Sequence, residues 1–128
     1  SWNTPENLKY TETDEWILLD GNRCTAGITD YAQDQLSDVV FVELPNVGDM
    51  LAVGDSFGTV ESVKAAAVLN MPVSGEITKV NRLLENRPEI LNSDPFGEAW
   101  VIKFIVSDLT DLNSLMNSSQ YTEYCKRR

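Results

Sequence analysis

The sequence predicts a mainly β fold, a sandwich or barrel of short strands with short helices and a helical C-terminal tail. Short segments rich in β-branched and aromatic residues recur along the chain, and residues that favour turns separate them. Strands this short bury a face only by stacking on a second sheet, so we expect two sheets. With 128 residues, the chain suits a single domain over residues 1–128, large enough to bury roughly two thirds of its unfolded surface.

Six segments have the composition and length of β-strands. They are Trp16–Leu19, Arg23–Ile28, Val39–Leu44, Phe57–Val63, Glu76–Val80 and Trp100–Val106. A further extended segment, Val68–Val73, contains Pro72, which has no backbone N–H and is therefore expected at a sheet edge. Together these segments define a β core over approximately residues 8–107.

Two short helices are predicted between the strands. Thr29 is positioned to cap a helix through Tyr31–Leu36, because its side chain can accept a hydrogen bond from the first turn. A second helix over Arg82–Asn86 must end before Pro88, since the residue preceding a proline disfavours the helical region.

A helical tail is predicted over approximately residues 108–128, opened by Ser107 or Asp108. Its apolar residues recur at helix-like spacing, are interrupted by a break at Ser118–Ser119, and continue beyond it. They are Leu109, Leu112, Leu115 and Met116, followed by Tyr121, Tyr124 and Cys125. We expect this tail to pack against the sheet.

Three turns are predicted at glycines. Val47-Gly48-Asp49 recurs six residues later as Val53-Gly54-Asp55, and Ser74-Gly75 resembles a third such turn. Glycine adopts the positive φ that tight turns need, and aspartate bonds to the nearby backbone. These positions are therefore expected to join short strands.

The charge of the chain excludes several partner classes. The formal net charge is −10, and such a surface repels phosphate backbones and anionic lipid, so neither nucleic acid nor a membrane is an expected partner. No apolar run approaches the roughly 20 residues of a membrane span. The basic residues Lys126, Arg127 and Arg128 are expected to form a solvated tail near the negative end of a final helix.

Catalytic and metal-binding residue patterns are absent from the sequence. Cys24 and Cys125 lie far apart without metal-ligand spacing, and the chain has no histidine. A histidine is the usual general base, and no glycine-rich phosphate loop or paired acidic site replaces it. We therefore expect two free thiols, no metal and no enzymatic activity.

Lys64 is the most informative residue. No Lys or Arg occurs from Cys24 to Val63, whereas seven acids do. Lys64 falls between a predicted strand and the next extended segment, which places its amine at the tip of a hairpin. A protonated amine in water is a poor nucleophile, so this lysine is not a catalyst. It is instead an accessible attachment point for a modifying enzyme.

Four motifs around Lys64 resemble, in order and spacing, the lipoyl-attachment region of lipoyl domains. They are Val47-Gly48-Asp49, Val53-Gly54-Asp55, Glu61-Ser62-Val63-Lys64-Ala65 and Pro72-Val73-Ser74-Gly75-Glu76-Ile77. Over nearly its whole length the sequence is similar to one group of these, the H proteins of the glycine cleavage system. The further matching segments include Gly27-Ile28-Thr29-Asp30-Tyr31-Ala32-Gln33, Val39-Val40-Phe41-Val42-Glu43-Leu44-Pro45 and Asp94-Pro95-Phe96-Gly97-Glu98.

The resemblance implies a lipoyl/biotinyl-type barrel-sandwich hybrid that acts as a carrier. It implies that lipoate is joined to Lys64 by an amide and that the resulting arm takes an aminomethyl group from glycine decarboxylase to aminomethyltransferase. Dihydrolipoamide dehydrogenase would reoxidise the arm, and a lipoate ligase or lipoyltransferase would attach it. A monomer is expected, cytoplasmic in a bacterium and in the mitochondrial matrix in a eukaryote.

The resemblance also implies roles for four further residues. Glu61 and Gly75 match positions that the lipoylating enzyme reads. The alternatives are a solvated strand acid for Glu61 and a turn glycine for Gly75, and for Gly75 the two roles need not compete. In the family the loaded arm folds back into a surface cleft, where acids hold its ammonium end. Glu15 matches one of these acids, with Thr13 nearby; the alternative for Glu15 is a solvated acid at the start of a strand.

Two departures from the family pattern bear on transfer. Relatives commonly carry Ser-Asp where this chain has Ala67-Val68, and Asp14 replaces the usual histidine. Losing a carboxylate at position 68 weakens a charge-assisted contact to the loaded amine, and Asp14 is the candidate to compensate. Attachment is therefore better supported than efficient aminomethyl transfer.

Three alternatives remain beside the glycine cleavage carrier. A lipoyl relay protein shares the fold and passes lipoyl groups to other dehydrogenase complexes, and the Val68 departure is consistent with it. A biotin carrier places Met on both sides of the lysine, which Val63 and Ala65 do not match. An enzyme is the least favoured alternative.

Overall fold

The structure, a computed structural model, describes residues 1–128 and confirms the mainly β architecture. Nine strands form two sheets. They are β1 (Lys9–Tyr10), β2 (Glu15–Asp20), β3 (Arg23–Ile28), β4 (Val39–Glu43), β5 (Met50–Leu51), β6 (Ser56–Ser62), β7 (Ala66–Asn70), β8 (Gly75–Val80) and β9 (Ile102–Val106). The helical elements are α1 (Asp30–Leu36), α2 (Leu83–Asn86), α3 (Ile90–Ser93), a 3₁₀ segment (Leu109–Ser114) and α4 (Ser118–Lys126).

The larger sheet has six antiparallel strands in the order β1-β2-β3-β9-β8-β5, and the smaller has the order β4-β6-β7. Alternation along β9 shows why two sheets are needed: Ile102, Phe104 and Val106 are buried, whereas Lys103 and Ile105 are not. A core of 21 buried apolar residues draws on both sheets.

The two short helices between strands agree with the sequence predictions. The Thr29 hydroxyl accepts a hydrogen bond from the backbone N–H of Ala32 at 3.1 Å and so caps α1. Helix α2 ends at Asn86, before Pro88. The expected place of Pro72 is wrong, because β7 ends at Asn70 and Pro72 lies buried beyond it instead of at a sheet edge.

The predicted tail is only partly right. Residues 109–114 form a 3₁₀ segment with no buried residue, so the apolar spacing there does not correspond to an α-helix. The break lies before Ser118, where Met116 pairs with Tyr10 of β1 through two backbone hydrogen bonds of 2.8 and 2.9 Å. Helix α4 then begins at Ser118 with an Asn117–Gln120 capping box.

Helix α4 packs through a second apolar cluster separate from the main core. The rings of Tyr10 and Tyr121 stack with centroids 4.6 Å apart, and both side chains are fully buried. The cluster consists of Leu8, Tyr10, Trp16, Tyr31, Tyr121 and Cys125. It fixes the end of α4 beside β2 and α1, which places Arg128 near the residues described below.

Two of the three predicted glycine turns are confirmed. Gly48 and Gly54 have φ of 95° and 86°, a region in which side chains are strained. Gly75 is not a turn glycine: it is buried in β8 between β5 and β9, paired with Leu51 and Val106. A Cβ at Gly75 would overlap the carbonyl oxygen of Ile105 and lie 2.7 Å from Cδ2 of Phe104.

Among the helices described, none has both the length and the apolar composition required to cross a membrane.

Candidate functional site

Lys64 lies at the tip of the β6–β7 hairpin, in the turn formed by residues 63–65. Its side chain is exposed, and its amine has no hydrogen-bond or ion-pair partner. Its neighbours do not cover it, since Val63 is 70% exposed and Ala65 is also exposed. The geometry therefore matches the hairpin tip predicted from the sequence and leaves the amine free to be acylated.

Ser62 holds the turn in one shape. Its hydroxyl accepts hydrogen bonds from the backbone N–H of Lys64 at 3.2 Å and of Ala65 at 2.9 Å. It also donates to the carbonyl oxygen of Ala65 at 3.0 Å. The N–H of Val63 donates to the Asp38 carbonyl at 3.0 Å, so each N–H from 63 to 65 has a partner. The lysine is thus presented by an ordered turn.

Glu61 projects from β6 beside this turn and is exposed. It pairs across the sheet with Phe41 of β4 and Ala66 of β7. Phe41 is 51% exposed, although it is a large apolar residue. Glu61 is thus accessible to a protein that approaches Lys64, and an apolar surface lies next to it.

A cavity of about 380 Å³ lies between the hairpin and α1, and we call it the hairpin cleft. Eight of its twelve lining residues are hydrophobic. Ala65 and Val68 form its wall on the hairpin, and Tyr31 and Leu36 form its wall on α1. An apolar cavity thus begins one residue from Lys64.

Asp14 and Arg128 close one side of the hairpin cleft. The guanidinium of Arg128 donates to both carboxylate oxygens of Asp14, at 2.6 and 3.0 Å. It also stacks on Tyr31 and Tyr124, 4.5 and 4.6 Å from their ring centroids. The hydrogen bonds to Asp14 raise the pKa of Arg128 further, so it stays charged. The prediction of a solvated tail is therefore wrong for Arg128, whereas Lys126 and Arg127 are exposed at the end of α4 as expected.

A third donor engages Asp14. The Tyr121 hydroxyl donates to Oδ1 of Asp14 at 2.7 Å, and burial is the main cause that raises the pKa of Tyr121, so the phenol keeps its proton. Asp14 also has a positive φ of 74°, which aspartate tolerates better than most residues. The proposal that Asp14 freely compensates for Val68 is therefore not supported by this arrangement, because its carboxylate already has three donors.

Glu15 is buried, with 1% of its surface exposed, so the solvated-acid interpretation is wrong. Its Oε1 accepts from the hydroxyls of Thr11 and Thr13, each at 2.6 Å, and its Oε2 accepts from the N–H of Asn70 at 3.1 Å. Burial raises the pKa of Glu15, while these hydrogen bonds lower it in part. The last bond ties β2 in one sheet to the end of β7 in the other.

Glu15 and Asp14 face different cavities although they are consecutive. Glu15 lines a hollow of about 510 Å³ together with Asn70 and Pro72. Asp14 lines the hairpin cleft, and Thr13 lines both. Of the predicted site residues, Thr13 and Glu15 therefore lie together and Thr13 also reaches the hairpin cleft, whereas Gly75 lies in the other sheet from Lys64.

The largest hollow, about 620 Å³, lies on the solvent-facing side of the six-stranded sheet. Arg23, Lys79 and Lys103 are among its lining residues, and no residue of the hairpin contributes to it. Size alone does not identify the site here: this hollow also contains an exposed lysine, Lys79, but only four of its ten lining residues are hydrophobic, whereas eight of twelve are in the hairpin cleft.

Sequence reasoning did not single out Ser62, Asn70 or Arg128. The role of Ser62 could have been predicted from the sequence, because a serine hydroxyl commonly accepts a hydrogen bond from the backbone N–H two or three residues later in a turn. Asn70 acts through its backbone, and Arg128 acts through contacts with residues more than 90 positions away. Neither had a local signal.

Comparison with known proteins supports one family. The family model "Glycine cleavage H-protein" matches residues 8–128. The chain is 48% identical over 121 residues to "Glycine cleavage system H protein 2, mitochondrial" of Arabidopsis thaliana, covering 94% of this chain and 78% of that protein. It is 47% identical over 119 residues to "Glycine cleavage system H protein" of Bacteroides fragilis, covering 93% and 94% respectively.

A solved structure gives the same result. The crystal structure of a glycine cleavage system H protein from Mycobacterium marinum superposes with a TM-score of 0.81 at 33% identity, covering 96% of this chain and 97% of that one. The chain therefore belongs to the glycine cleavage H-protein family, and its role is that of a lipoyl carrier in glycine cleavage and not that of an enzyme.

Proposed function

We propose that this chain carries lipoate in amide linkage on Lys64. The observation that carries the proposal is a free, exposed amine on an ordered turn beside an apolar cleft. The residues present fit the group, because a hydrocarbon arm attached at Lys64 would start next to the apolar walls formed by Ala65 and Val68. When bound, lipoate would supply a reversible disulfide that accepts and releases the aminomethyl group.

The chain's own residues would present and shelter that group. Ser62 fixes the direction in which Lys64 leaves the hairpin. The apolar residues of the hairpin cleft would exclude water from a lipoyl arm that lay against them. Glu15 and Thr13 remain the proposed acid and hydroxyl for an ammonium end; Oε2 of Glu15 has one donor and keeps accepting capacity.

We also propose the recognition residues and partners. Glu61 is exposed three residues before Lys64 and suits direct contact with a lipoate ligase or lipoyltransferase. Gly75 is buried, so its proposed part in recognition would be indirect, through the strand that it keeps in place. The partners in turnover are glycine decarboxylase, aminomethyltransferase and dihydrolipoamide dehydrogenase. The proposed compartment is the cytoplasm of a bacterium or the mitochondrial matrix of a eukaryote.

Attachment is tested by intact mass after incubation with lipoate, ATP and a lipoate ligase. The wild-type protein should gain one lipoyl mass, and Lys64→Arg should gain none. Lys79→Arg is the matched control, because Lys79 is also an exposed lysine without an ion pair but lies in β8. A mass gain in Lys64→Arg would move the attachment site elsewhere.

A lipoyl relay protein is the second candidate. Val68 supports it, since an apolar residue that is 54% exposed stands where relatives of the glycine cleavage carrier commonly have an acid. Asp14, which was the candidate replacement, is engaged by Arg128. Reconstituted glycine-dependent carbon dioxide exchange separates the two candidates, because only the glycine cleavage carrier should support it.

A further inference from the structure

Positive charge gathers on a second surface, to which the hairpin contributes no residue. The hollow of about 620 Å³ on the six-stranded sheet is lined by Arg23 of β3, Lys103 of β9 and Lys79 of β8, and we call it the basic hollow. Asp20 is its one acidic lining residue. The chain as a whole has a formal net charge of −10 and only ten Lys and Arg residues. The basic hollow is therefore a local positive region on an acidic protein.

The cations of the basic hollow have no ion-pair partner. Lys79 and Lys103 are directly opposite each other in the β8–β9 pair, an arrangement of like charges that destabilises a sheet. The ring of Trp100 lies 5.1 Å from the Lys103 amine and offsets part of this cost. Asp20 is opposite Arg23 in the β2–β3 pair, yet no ion pair joins them. An anion over the two lysines would relieve their repulsion.

The geometry of the basic hollow favours an extended acidic segment over a compact anion. Strand β9 is paired with β3 on one edge and β8 on the other, so its backbone N–H groups serve the ladders and only side chains face the hollow. Arg23 is opposite Ile105, two residues after Lys103, whereas Lys79 is opposite Lys103 itself. The backbones of Arg23 and Lys79 are therefore two strands and two residues apart, on the order of 12 Å. Alternate residues of an extended peptide lie on one side about 6.8 Å apart, so three alternating acids cover this distance.

We propose that the basic hollow is a docking site for an acidic segment of a partner protein, which lies extended across β3, β9 and β8 and pairs its carboxylates with the three cations. Leu18 and Ile105 line the same hollow and are exposed although they are apolar, so they can pack against apolar side chains of the segment. The hairpin belongs to the other sheet. A partner can therefore dock here without contacting Lys64.

The proposal is tested on the unlipoylated chain with acetyl-Glu-Leu-Glu-Leu-Glu-amide as the probe and the corresponding glutamine peptide as its neutral counterpart. The net negative charge of the chain opposes binding of the acidic peptide elsewhere, so binding reports a local positive site. In a ¹H–¹⁵N titration the acidic peptide should shift the backbone signals of Thr25, Lys79 and Lys103, and the glutamine peptide should leave them in place. Raising NaCl from about 0.05 M to about 0.5 M should weaken binding, because salt screens exposed charges.

Variants assign the binding to individual charges. Lys79→Gln and Lys103→Gln should each raise the Kd about threefold, and Asp20→Asn should lower it about twofold by removing a repulsive charge. The tighter binding of Asp20→Asn is a gain that a misfolded variant would not show. Lys9→Gln is the matched control, since Lys9 is an exposed lysine without an ion pair on β1 of the same sheet and does not line the hollow. Its Kd should stay within about 1.5-fold of the wild-type value.

Four results would overturn the proposal. The first two are peptide-induced shifts that map outside the basic hollow and equal effects of Lys103→Gln and Lys9→Gln. The third is tripolyphosphate binding as tightly as the acidic peptide with the same shifted signals, which would assign the hollow to small anions. The fourth is self-association of the wild-type chain in sedimentation velocity that Lys103→Gln abolishes, which would make a second copy of this chain the occupant. None of these measurements depends on lipoylation.

Discussion

Gly75→Ala separates the structural from the recognition role of Gly75. The added methyl group would overlap the Ile105 carbonyl oxygen, a backbone atom held in the β8–β9 ladder, and would lie 2.7 Å from the Phe104 ring. Overpacking of this kind costs about 1–3 kcal/mol. Alanine recovers about 0.4–1 kcal/mol by restricting the unfolded chain. We therefore expect a net loss of about 1.5 kcal/mol in the free energy of unfolding.

The loss should appear in thermal and urea unfolding followed by far-ultraviolet circular dichroism. An unfolding entropy of about 2.1 cal/mol/K per residue gives about 0.27 kcal/mol/K for this chain, so the Tm should fall by about 5–6 °C. Gly21→Asn is the control, because no atom lies within 4 Å of a Cβ there and asparagine tolerates its φ of 63°. Its unfolding free energy should change by less than about 0.5 kcal/mol.

Lipoylation of Gly75→Ala, measured below its Tm, then assigns the role. If Gly75 acts only through packing, the folded variant should be lipoylated on Lys64 at a rate within about twofold of the wild-type rate, since Lys64 lies in the other sheet. A folded variant that the ligase rejects would mean that recognition depends on this position directly. A Tm equal to that of the wild-type protein would refute the packing argument.

Three further predictions concern the buried groups. Since burial raises the pKa of Glu15 above its usual 4.5, its share of the stability is lost as pH rises through the folded pKa. Glu15→Gln should remove this slope, which urea titrations between about pH 4.5 and about pH 8 would show. A double-mutant cycle on Asp14→Asn and Arg128→Gln should give a coupling of about 1–2 kcal/mol, intermediate between exposed and buried pairs. Cys24 and Cys125 should resist alkylation at about pH 8 until the chain unfolds, because burial raises both thiol pKa values, that of Cys24 to about 12.

Each of these three predictions would be contradicted by a particular result. Parallel pH profiles for wild type and Glu15→Gln would mean that Glu15 titrates normally. A coupling below about 0.3 kcal/mol between Asp14 and Arg128 would mean that their contact is not maintained in solution. A thiol that reacts quickly in the native protein would contradict the burial of Cys24 and Cys125.

Much of the sheet was predictable because local composition decides it. The run Arg23–Ile28 is rich in residues that favour strands or pack well within them, and it forms β3 over the same residues. Thr29 predicted the start of α1 correctly, because a helix cap is an interaction between residues close in the sequence. The Lys64 turn was predictable for the same reason, since the strands on either side of it define its position.

The errors arose where distant contacts override local preference. Leu109, Leu112 and Leu115 have helical spacing, yet the backbone pairing of Met116 with Tyr10 ends that segment and leaves it a 3₁₀ turn. Glu15 was judged by its residue type, and its burial depends on two threonine hydroxyls and the N–H of Asn70. No pattern in one sequence specifies such a partner 55 residues away.

The hydrogen bond that the N–H of Asn70 donates to Glu15 limits the volume that a group tethered to the hairpin can reach. The hairpin belongs to the three-stranded sheet, and this bond fastens the end of β7 to the six-stranded sheet. With both the root and the tip of the hairpin fixed, the origin of a tethered group stays in one place. The group's effective concentration at a docked enzyme is then set by the length and stiffness of the tether. Loosening residue 15 would dilute that group over a larger volume without altering the lysine.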